Sequence, residues 1–103
     1  MPRKQKGGWV YLICSPNHST LYTGVTSDLY HRILEHRTHY YPRSFTARYN
    51  CIKLVYYAFF EGIEEAIEEE KRIKTGSRWQ KERLIRSLNP DWLDLWETEV
   101  QFW

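Results

Sequence analysis

The sequence feature that most constrains the fold is an apolar run at residues 9–14, followed by a turn and a second short run at residues 21–25. The turn carries Pro16, and Gly24 lies near the end of the second run. Apolar residues occupy both alternating faces of the first run, which indicates a strand buried on both sides. The pattern predicts a central strand paired with its neighbour in a hairpin.

A helix is predicted after this hairpin, capped by one of the polar residues 26–28 and running to about residue 36 or 38. Arg32 and His36 are four positions apart, so they share one face of that helix. The hairpin can bring Tyr11 and Tyr22 together at one end of the sheet. These four side chains are therefore candidates for a common site, although Arg32 alone is equally well explained as a solvated surface charge.

Residues 39–50 are predicted to form a loop in which Arg43 and Arg48 are interleaved with tyrosines. Such a loop suits contacts with a nucleic-acid backbone, and a packed surface loop is an equal alternative. Residues 51–60 then predict a long third strand.

A helix predicted at residues 61–74 carries a carboxylate on its apolar side. Glu70 falls on the same stripe as Ala66 and Ile73, and the stripe also includes Ile63 and Ile67. A carboxylate that faces a core is costly unless it is paired or binds a metal. Glu70 is therefore a candidate metal ligand. A buried ion pair with Arg32, or a position at the wet edge of the stripe, remains open.

Ser77 and Gln80 match a capping box that begins a further helix. This helix is predicted to run to about residue 88, where an Asn-Pro pair breaks it, with Leu84, Ile85 and Leu88 facing inward. Its cations are most simply a solvated face. Beyond it, a short helix docking on the core or on a partner is expected from four apolar residues at helical spacing: Trp92, Leu93, Leu95 and Trp96.

Charge is unevenly distributed along the chain. Residues 1–60 hold eight Lys and Arg against two Asp and Glu, whereas residues 61–103 hold seven against eleven. A basic first part is compatible with a polyanionic partner. We divide the chain into a basic tail at residues 1–8, predicted to be disordered, a domain at residues 9–88, and a Trp-rich acidic extension at residues 89–103.

The two cysteines, Cys14 and Cys51, lie in strand-like runs without metal-ligand spacing, which indicates buried free thiols in a reducing compartment. No apolar run has the roughly 18 residues of a membrane span, and no signal peptide precedes the first strand. A cytoplasmic location with no membrane partner is the expectation.

Several residues in order resemble the motifs of the GIY-YIG endonucleases, and in particular their small stand-alone bacterial members. The first motif corresponds to Trp9-Val10-Tyr11 and the second to Tyr22-Thr23-Gly24, with ten residues between the two tyrosines. The family's helix arginine, its frequent histidine one turn later and its metal-binding glutamate correspond to Arg32, His36 and Glu70. Trp9, Val10 and Thr23 depart from the family pattern but leave both tyrosines and Gly24 in place.

The resemblance implies an α/β (α+β) fold with a small three-stranded antiparallel sheet flanked by helices. It also implies metal-dependent endonuclease activity with Mg²⁺ or Mn²⁺ on Glu70, on DNA in preference to RNA, with a structure-directed role in repair or recombination. Tyr11 would act as general base or position the nucleophile, Arg32 would stabilise the transition-state phosphate, and Tyr22 and His36 would orient phosphate or water. Further nucleic-acid contacts are expected from Gly24, Arg43, Arg48 and Lys74.

Two alternatives remain at this stage. The same fold can serve as a non-cleaving nucleic-acid binder, since a fold does not fix a function. The extension can instead make the chain a partner-dependent interaction module or a homo-oligomer. In addition, Asn89 is a candidate for an asparagine that many larger family members use after the glutamate.

Overall fold

A computed structural model describes residues 7–103, so residues 1–6 of the predicted disordered tail lie outside the described part of the chain. Residues 7–103 form three strands, five α-helices and a short 3₁₀ turn. In chain order they are β1 (Gly8–Cys14), β2 (Leu21–Thr26), α1 (Leu29–Arg37), α2 (Phe45–Arg48), β3 (Lys53–Phe60), α3 (Ile63–Lys74), α4 (Arg78–Leu88), α5 (Leu95–Thr98) and the 3₁₀ turn (Val100–Phe102).

The strands form one antiparallel sheet in the order β2-β1-β3, which confirms the predicted fold class and the central position of β1. In this register Tyr11 lies opposite Gly24 on β2 and Tyr57 on β3. A β-bulge shifts the pairing of β1 with β3 between Leu12 and Ile13. Because side chains alternate along a strand, the odd-numbered residues of β1 all point to one face.

The first face of the sheet carries Trp9, Tyr11 and Ile13. It is covered by α1 and by the C-terminal segment, residues 94–103. Leu29 and Ile33 of α1 pack there, as predicted for the inward positions of that helix. Further members of this cluster are Cys51, Leu54, Trp96 and Val100.

The second face, which carries Val10, Leu12 and Cys14, is covered by α3 and α4. Ala66 and Ile73 are buried against it, as their spacing predicted, and Ile85 of α4 joins them. Burial was overestimated at two predicted inward positions: Ile63 and Leu88, which lie at the first and last positions of their helices, are 40% and 69% exposed.

Local capping signals located the helix starts well. Asp28 caps α1 by accepting a hydrogen bond from the amide of His31, and Ser77 with Gln80 forms the predicted capping box of α4. The predicted loop at residues 39–50 was incomplete, because it contains the one-turn helix α2. Ser44 caps α2 by accepting a hydrogen bond from the amide of Ala47.

The C-terminal segment is fastened to the sheet through Asp94. Its Oδ1 accepts hydrogen bonds from the amides of Leu54, on β3, and Trp96. Its Oδ2 is 2.8 Å from the guanidinium of Arg37, which also donates to the carbonyl of Ile52. The segment therefore packs on the protein's own core, with Trp96 buried.

No helix within residues 7–103 is long and apolar enough to cross a membrane.

Candidate active site

Tyr11 is the centre of the candidate site, and it is almost completely buried, with 1% of its surface exposed. Its hydroxyl lies 2.9 Å from Nε2 of His36. The ring of Tyr22 lies on the same side, with its centroid 6.5 Å from that of Tyr11 and 5.9 Å from that of His36. The structure thus brings the two predicted tyrosines and the predicted histidine together.

The hydrogen bonds continue from His36 into α2. Nδ1 of His36 is 2.8 Å from the hydroxyl of Thr46, which in turn lies 3.2 Å from the hydroxyl of Ser44. We assign Tyr11 as the donor to Nε2 because a buried phenol needs an acceptor for its proton. His36 then carries its proton on Nδ1 and donates to Thr46.

Burial controls the ionisation of this pair. It raises the pKa of Tyr11 above its ordinary value of 10, and the nearby charge of Arg32 opposes the shift without cancelling it. It lowers the pKa of His36 to about 4, helped by the same charge. Both groups are therefore neutral at pH 7, and the raised pKa of Tyr11 favours a positioning role over a general-base role.

Gly24 has a packing role that the sequence did not reveal. A Cβ atom at this position would lie 2.3 Å from Cζ of Tyr11, far inside van der Waals contact. The glycine therefore lets the ring of Tyr11 lie flat over β2. Gly24 itself is buried beneath that ring, and a nucleic-acid contact by Gly24 remains a prediction.

Arg32 lies at the rim of this cluster, with about a third of its side chain exposed. It donates a 3.0 Å hydrogen bond to Glu35, one turn along the same helix, and its guanidinium lies 5.6 Å from the ring centroid of Tyr41. Burial lowers the pKa of Arg32, but the bond to Glu35 and the interactions with Tyr11 together outweigh it, and the net shift of the pKa is upward. Arg32 and Tyr22 are half-buried, so they are more open to a ligand than Tyr11 and His36.

Glu70 lies on α3, in the layer that covers the second face of the sheet. Its side chain is 13% exposed, and its ion-pair partner within residues 7–103 is Lys74, whose Nζ is 3.9 Å away. The ion pair with Arg32 that the sequence left open does not form, because Arg32 pairs with Glu35. No hydrogen bond joins Glu70 to the other four predicted catalytic residues within the described chain.

A hard divalent cation fits the chemistry of this carboxylate. Glu70 is largely desolvated yet has only a distant counter-charge. Mg²⁺ in proteins commonly takes one or two carboxylates and completes its shell with water and substrate phosphate. No group of three or more His, Cys, Asp or Glu side chains in residues 7–103 forms a metal cage, so Glu70 would act with water and substrate oxygens.

The remaining predicted residues lie in different places. Arg43 and Arg48 are exposed in the connection between α1 and β3, where Arg48 lies over the ring of Tyr49. Lys74 is exposed at the end of α3. Asn89 is buried at the end of α4, where its amide donates to the carbonyls of Val55 and Leu93, so its polar atoms already serve the fold.

Sequence reasoning missed three residues of the site. Glu35 is three positions after Arg32, a spacing that permits an ion pair on a helix. Ser44 had the type and position of a helix cap. Thr46 carried no such signal, because its contact with His36 depends on how α2 packs against α1.

The catalytic-domain model of the GIY-YIG family matches residues 7–83 of this chain. The chain therefore belongs to the GIY-YIG family, which confirms the resemblance that the motifs predicted. Within that family it is similar to small bacterial proteins of the group named UPF0213. A UPF0213 protein from Syntrophus aciditrophicus is 33% identical over 84 residues, 81% of this chain and 93% of the relative. Another, from Clostridium perfringens, is 39% identical over 79 residues, 77% of this chain and 83% of the relative.

A solved structure shares the fold. The solution NMR structure of a UPF0213 protein from Bacillus halodurans has a TM-score of 0.56 and 26% sequence identity to this chain. The match covers 90% of this chain and 97% of the other. The family is a nuclease family, and the names of these relatives specify no activity, substrate or metal.

Proposed function

We propose that this protein is a metal-dependent endonuclease that hydrolyses phosphodiester bonds in DNA. The observation that carries the proposal is Glu70, a largely buried carboxylate whose nearest counter-charge is 3.9 Å away. A protein that only binds a polyanion has no use for such a carboxylate, because it would repel the phosphates. A carboxylate that holds a cation attracts them instead.

The proposed site straddles β2, which is an edge strand of the sheet. Tyr11, Tyr22, Arg32 and His36 lie on its first face, and α3 packs against β1 and β2 from the second. A phosphodiester lying across this edge would meet Arg32 and Tyr22 from one layer and Glu70 from the other.

Each residue has a role that its surroundings support. Glu70 would hold Mg²⁺ or Mn²⁺, which when bound stabilises the negative charge of the leaving oxygen. Arg32 stays charged and would neutralise the phosphate in the transition state. Tyr22 would orient the phosphate, and Tyr11 would position the attacking water through its hydroxyl oxygen.

His36 would serve as a positioning residue rather than as a base. Because it is neutral and bonded to Thr46, it holds the hydroxyl of Tyr11 in one orientation. A fixed hydroxyl directs its lone pair at one point in space, which is what alignment of a nucleophile requires.

The surroundings of the site support nucleic acid as the substrate. Four exposed aromatic residues lie in residues 40–49, namely Tyr40, Tyr41, Phe45 and Tyr49. Phe45 contacts Tyr22, with their ring centroids 6.0 Å apart, and Arg43 and Arg48 supply positive charge nearby. Exposed rings beside cations suit stacking on unpaired bases, which supports a structure-directed role in repair or recombination. The preference for DNA over RNA follows from the family resemblance.

Cys14 and Cys51 are buried free thiols, which supports placing the protein in the reducing cytoplasm.

The test is a cleavage assay on labelled single-stranded, duplex and branched DNA with Mg²⁺, Mn²⁺ or chelator. We expect metal-dependent cleavage that falls about 10³-fold in Glu70→Ala, equivalent to several kcal/mol of transition-state stabilisation. Glu68→Ala is the matched control, since Glu68 is an exposed carboxylate two positions earlier on the same helix.

Retention of full activity by Glu70→Ala would remove Glu70 from the site. If the wild-type protein binds these substrates but cuts none of them, the non-cleaving binder replaces the endonuclease. A branched substrate that is preferred over duplex would support the structure-directed role.

A further inference from the structure

The strongest concentration of positive charge in this chain begins directly after Glu70 on α3. Residues 71–86 contain seven Lys and Arg and a single Glu, whereas residues 61–70 contain six Glu and no cation. The charges of the two stretches cancel, so the basic stretch is hidden when the net charge of residues 61–103 is counted as a whole. The basic stretch spans the end of α3, the turn after it and nearly all of α4.

Three of these seven cations line a cleft between α3 and α4. The cleft has a volume of about 540 Å³, and Arg72, Lys81 and Arg83 contribute to its walls, together with Ile73 and Leu84. Lys81 is held in place by donating to the carbonyls of Lys74 and Gly76, at 3.3 and 2.6 Å. A fixed ammonium beside two guanidinium groups is a suitable support for phosphates.

An exposed tryptophan stands beside this cleft. Trp79 is 60% exposed, and the guanidinium of Arg83 lies 5.5 Å from its ring centroid. An exposed indole offers a surface on which an unpaired base can stack. One face of an indole packed against a guanidinium leaves the other able to stack on a base.

The single acid within the basic stretch does not neutralise the cleft. Glu82 pairs with Arg78 at 2.9 Å and lies 3.8 Å from Arg86. Arg72 pairs with Glu69, which lies on α3. Arg83 and Lys81 have no acidic partner within 4.0 Å in residues 7–103, so the cleft keeps a net positive charge.

We propose that the cleft between α3 and α4 is a second nucleic-acid site, in which Arg72, Lys81 and Arg83 hold the phosphate backbone and Trp79 stacks on an unpaired base. The site shares the α3–α4 layer with Glu70, whereas Tyr11 and Arg32 lie on the opposite face of the sheet. It would anchor a single-stranded part of the ligand on the α3–α4 side of the bond to be cut. The inference shares with the proposed function the assumption of a nucleic-acid ligand, and it does not depend on cleavage.

The test is a fluorescence-anisotropy titration in chelator, so that no cleavage occurs, with a labelled single strand of roughly 15 nucleotides and its duplex. We expect Trp79→Ala to weaken binding of the single strand about 10-fold and binding of the duplex less than about 2-fold. The matched control is Phe102→Ala, since Phe102 is an aromatic residue of similar exposure on the C-terminal segment. This control should bind like the wild-type protein.

A second variant tests the charges. The double substitution R72Q/R83Q removes two cations, so we expect the slope of log affinity against log salt concentration to fall by about 1 to 2 for the single strand. In an active preparation, Trp79→Ala should raise KM about 10-fold and leave kcat unchanged, because Trp79 has no role in the proposed chemical step.

Other outcomes overturn the inference. Equal weakening of single strand and duplex by Trp79→Ala would exclude base stacking. Unchanged affinity and unchanged salt slope in both variants would exclude the cleft, as would a wild-type protein that binds no nucleic acid. Failure of the wild-type protein to cleave would contradict the proposed function alone, because the binding measurements contain no metal.

Discussion

The two layers on either side of the sheet differ in how far their buried functional groups are paired within the protein. In the first layer, Tyr11 and His36 are buried and joined by hydrogen bonds that continue to Thr46. In the second layer, Glu70 is also largely buried, but its ion-pair partner within residues 7–103, Lys74, is 3.9 Å away. The polar atoms of the first layer are already paired within the protein, whereas the carboxylate of Glu70 has oxygen atoms free to bind a cation.

This difference separates groups that stabilise the fold, such as His36, from groups that are available to bind a ligand, such as Glu70. A satisfied buried network fixes orientation, and it costs stability when one member is removed. A desolvated carboxylate without a close counter-charge adds little to stability and has free oxygen atoms for a cation. Substitutions in the two layers should therefore have different effects on the free energy of unfolding.

The largest expected effect on stability comes from Gly24→Ala. The added Cβ would lie 2.3 Å from Cζ of Tyr11, so the ring has to move and its bond to His36 breaks. We expect a loss of about 3 kcal/mol, measured by denaturant unfolding. Gly62→Ala is the control, because its Cβ would meet only the mobile carboxylate of Glu65, at 2.9 Å. It should cost less than about 1 kcal/mol.

A smaller effect is expected from acid. The folded-state pKa of His36 is lowered to about 4 from an ordinary value of 6.5. Between these pH values the unfolded chain binds a proton that the folded chain does not bind. Stability is therefore full above about pH 6.5 and falls as the pH drops toward 4. The loss is about 2 kcal/mol once solvent screening is allowed for.

Unfolding curves at pH 7.5, 5.5 and 4.5 measure this slope. His36→Gln should flatten it, whereas His39→Gln should leave it as in the wild-type protein because His39 is exposed. A slope that survives His36→Gln would mean that another group causes the acid sensitivity.

Tyr11→Phe should have a still smaller effect on stability, about 1 to 2 kcal/mol, because it leaves Nε2 of His36 buried without its hydroxyl partner. Tyr57→Phe is a close control, since Tyr57 pairs with Tyr11 across the sheet but its hydroxyl bonds to Glu99 at the surface. Equal losses of unfolding free energy in the two variants would show that the buried hydrogen bond of Tyr11 contributes no more to stability than the surface hydrogen bond of Tyr57.

The smallest effect on stability is expected for Glu70→Gln, less than about 0.5 kcal/mol. Its ion pair with Lys74 is long and Lys74 is exposed, so little is lost when the charge is removed. A large loss of stability would contradict the proposed difference between the two layers, because it would place Glu70 among the residues that stabilise the fold. Thermal unfolding without metal gives this measurement directly.

The sequence predicted those features that depend on local rules. Alternation located β1 as the central strand, and the types of Asp28 and Ser77 located two helix starts. The stripe through Ala66 and Ile73 placed Glu70 on the inner side of α3, as the structure has it. Patterns overestimated burial at Ile63 and Leu88, because periodicity does not reveal how completely other segments cover the ends of a helix.

The site could be predicted only in part, for a similar reason. Tyr11, Tyr22 and His36 were predicted to share one place, and they contact each other. The raised pKa of Tyr11 and the bond from His36 to Thr46 depend on burial by distant segments. Such effects belong to tertiary packing, which no local pattern of residues reports.

The attachment of Asp94 also affects the order in which the chain can fold. The β1–β2 hairpin and α1 join residues close in sequence, but Asp94 joins Leu54 and Arg37, which are 40 and 57 positions away. Contacts of such long range form late, because a long loop must first be closed. During synthesis, α1 can cover only part of the apolar face around Trp9 until residues 94–103 have left the ribosome. Over that interval the exposed part of this face favours aggregation of the nascent chain.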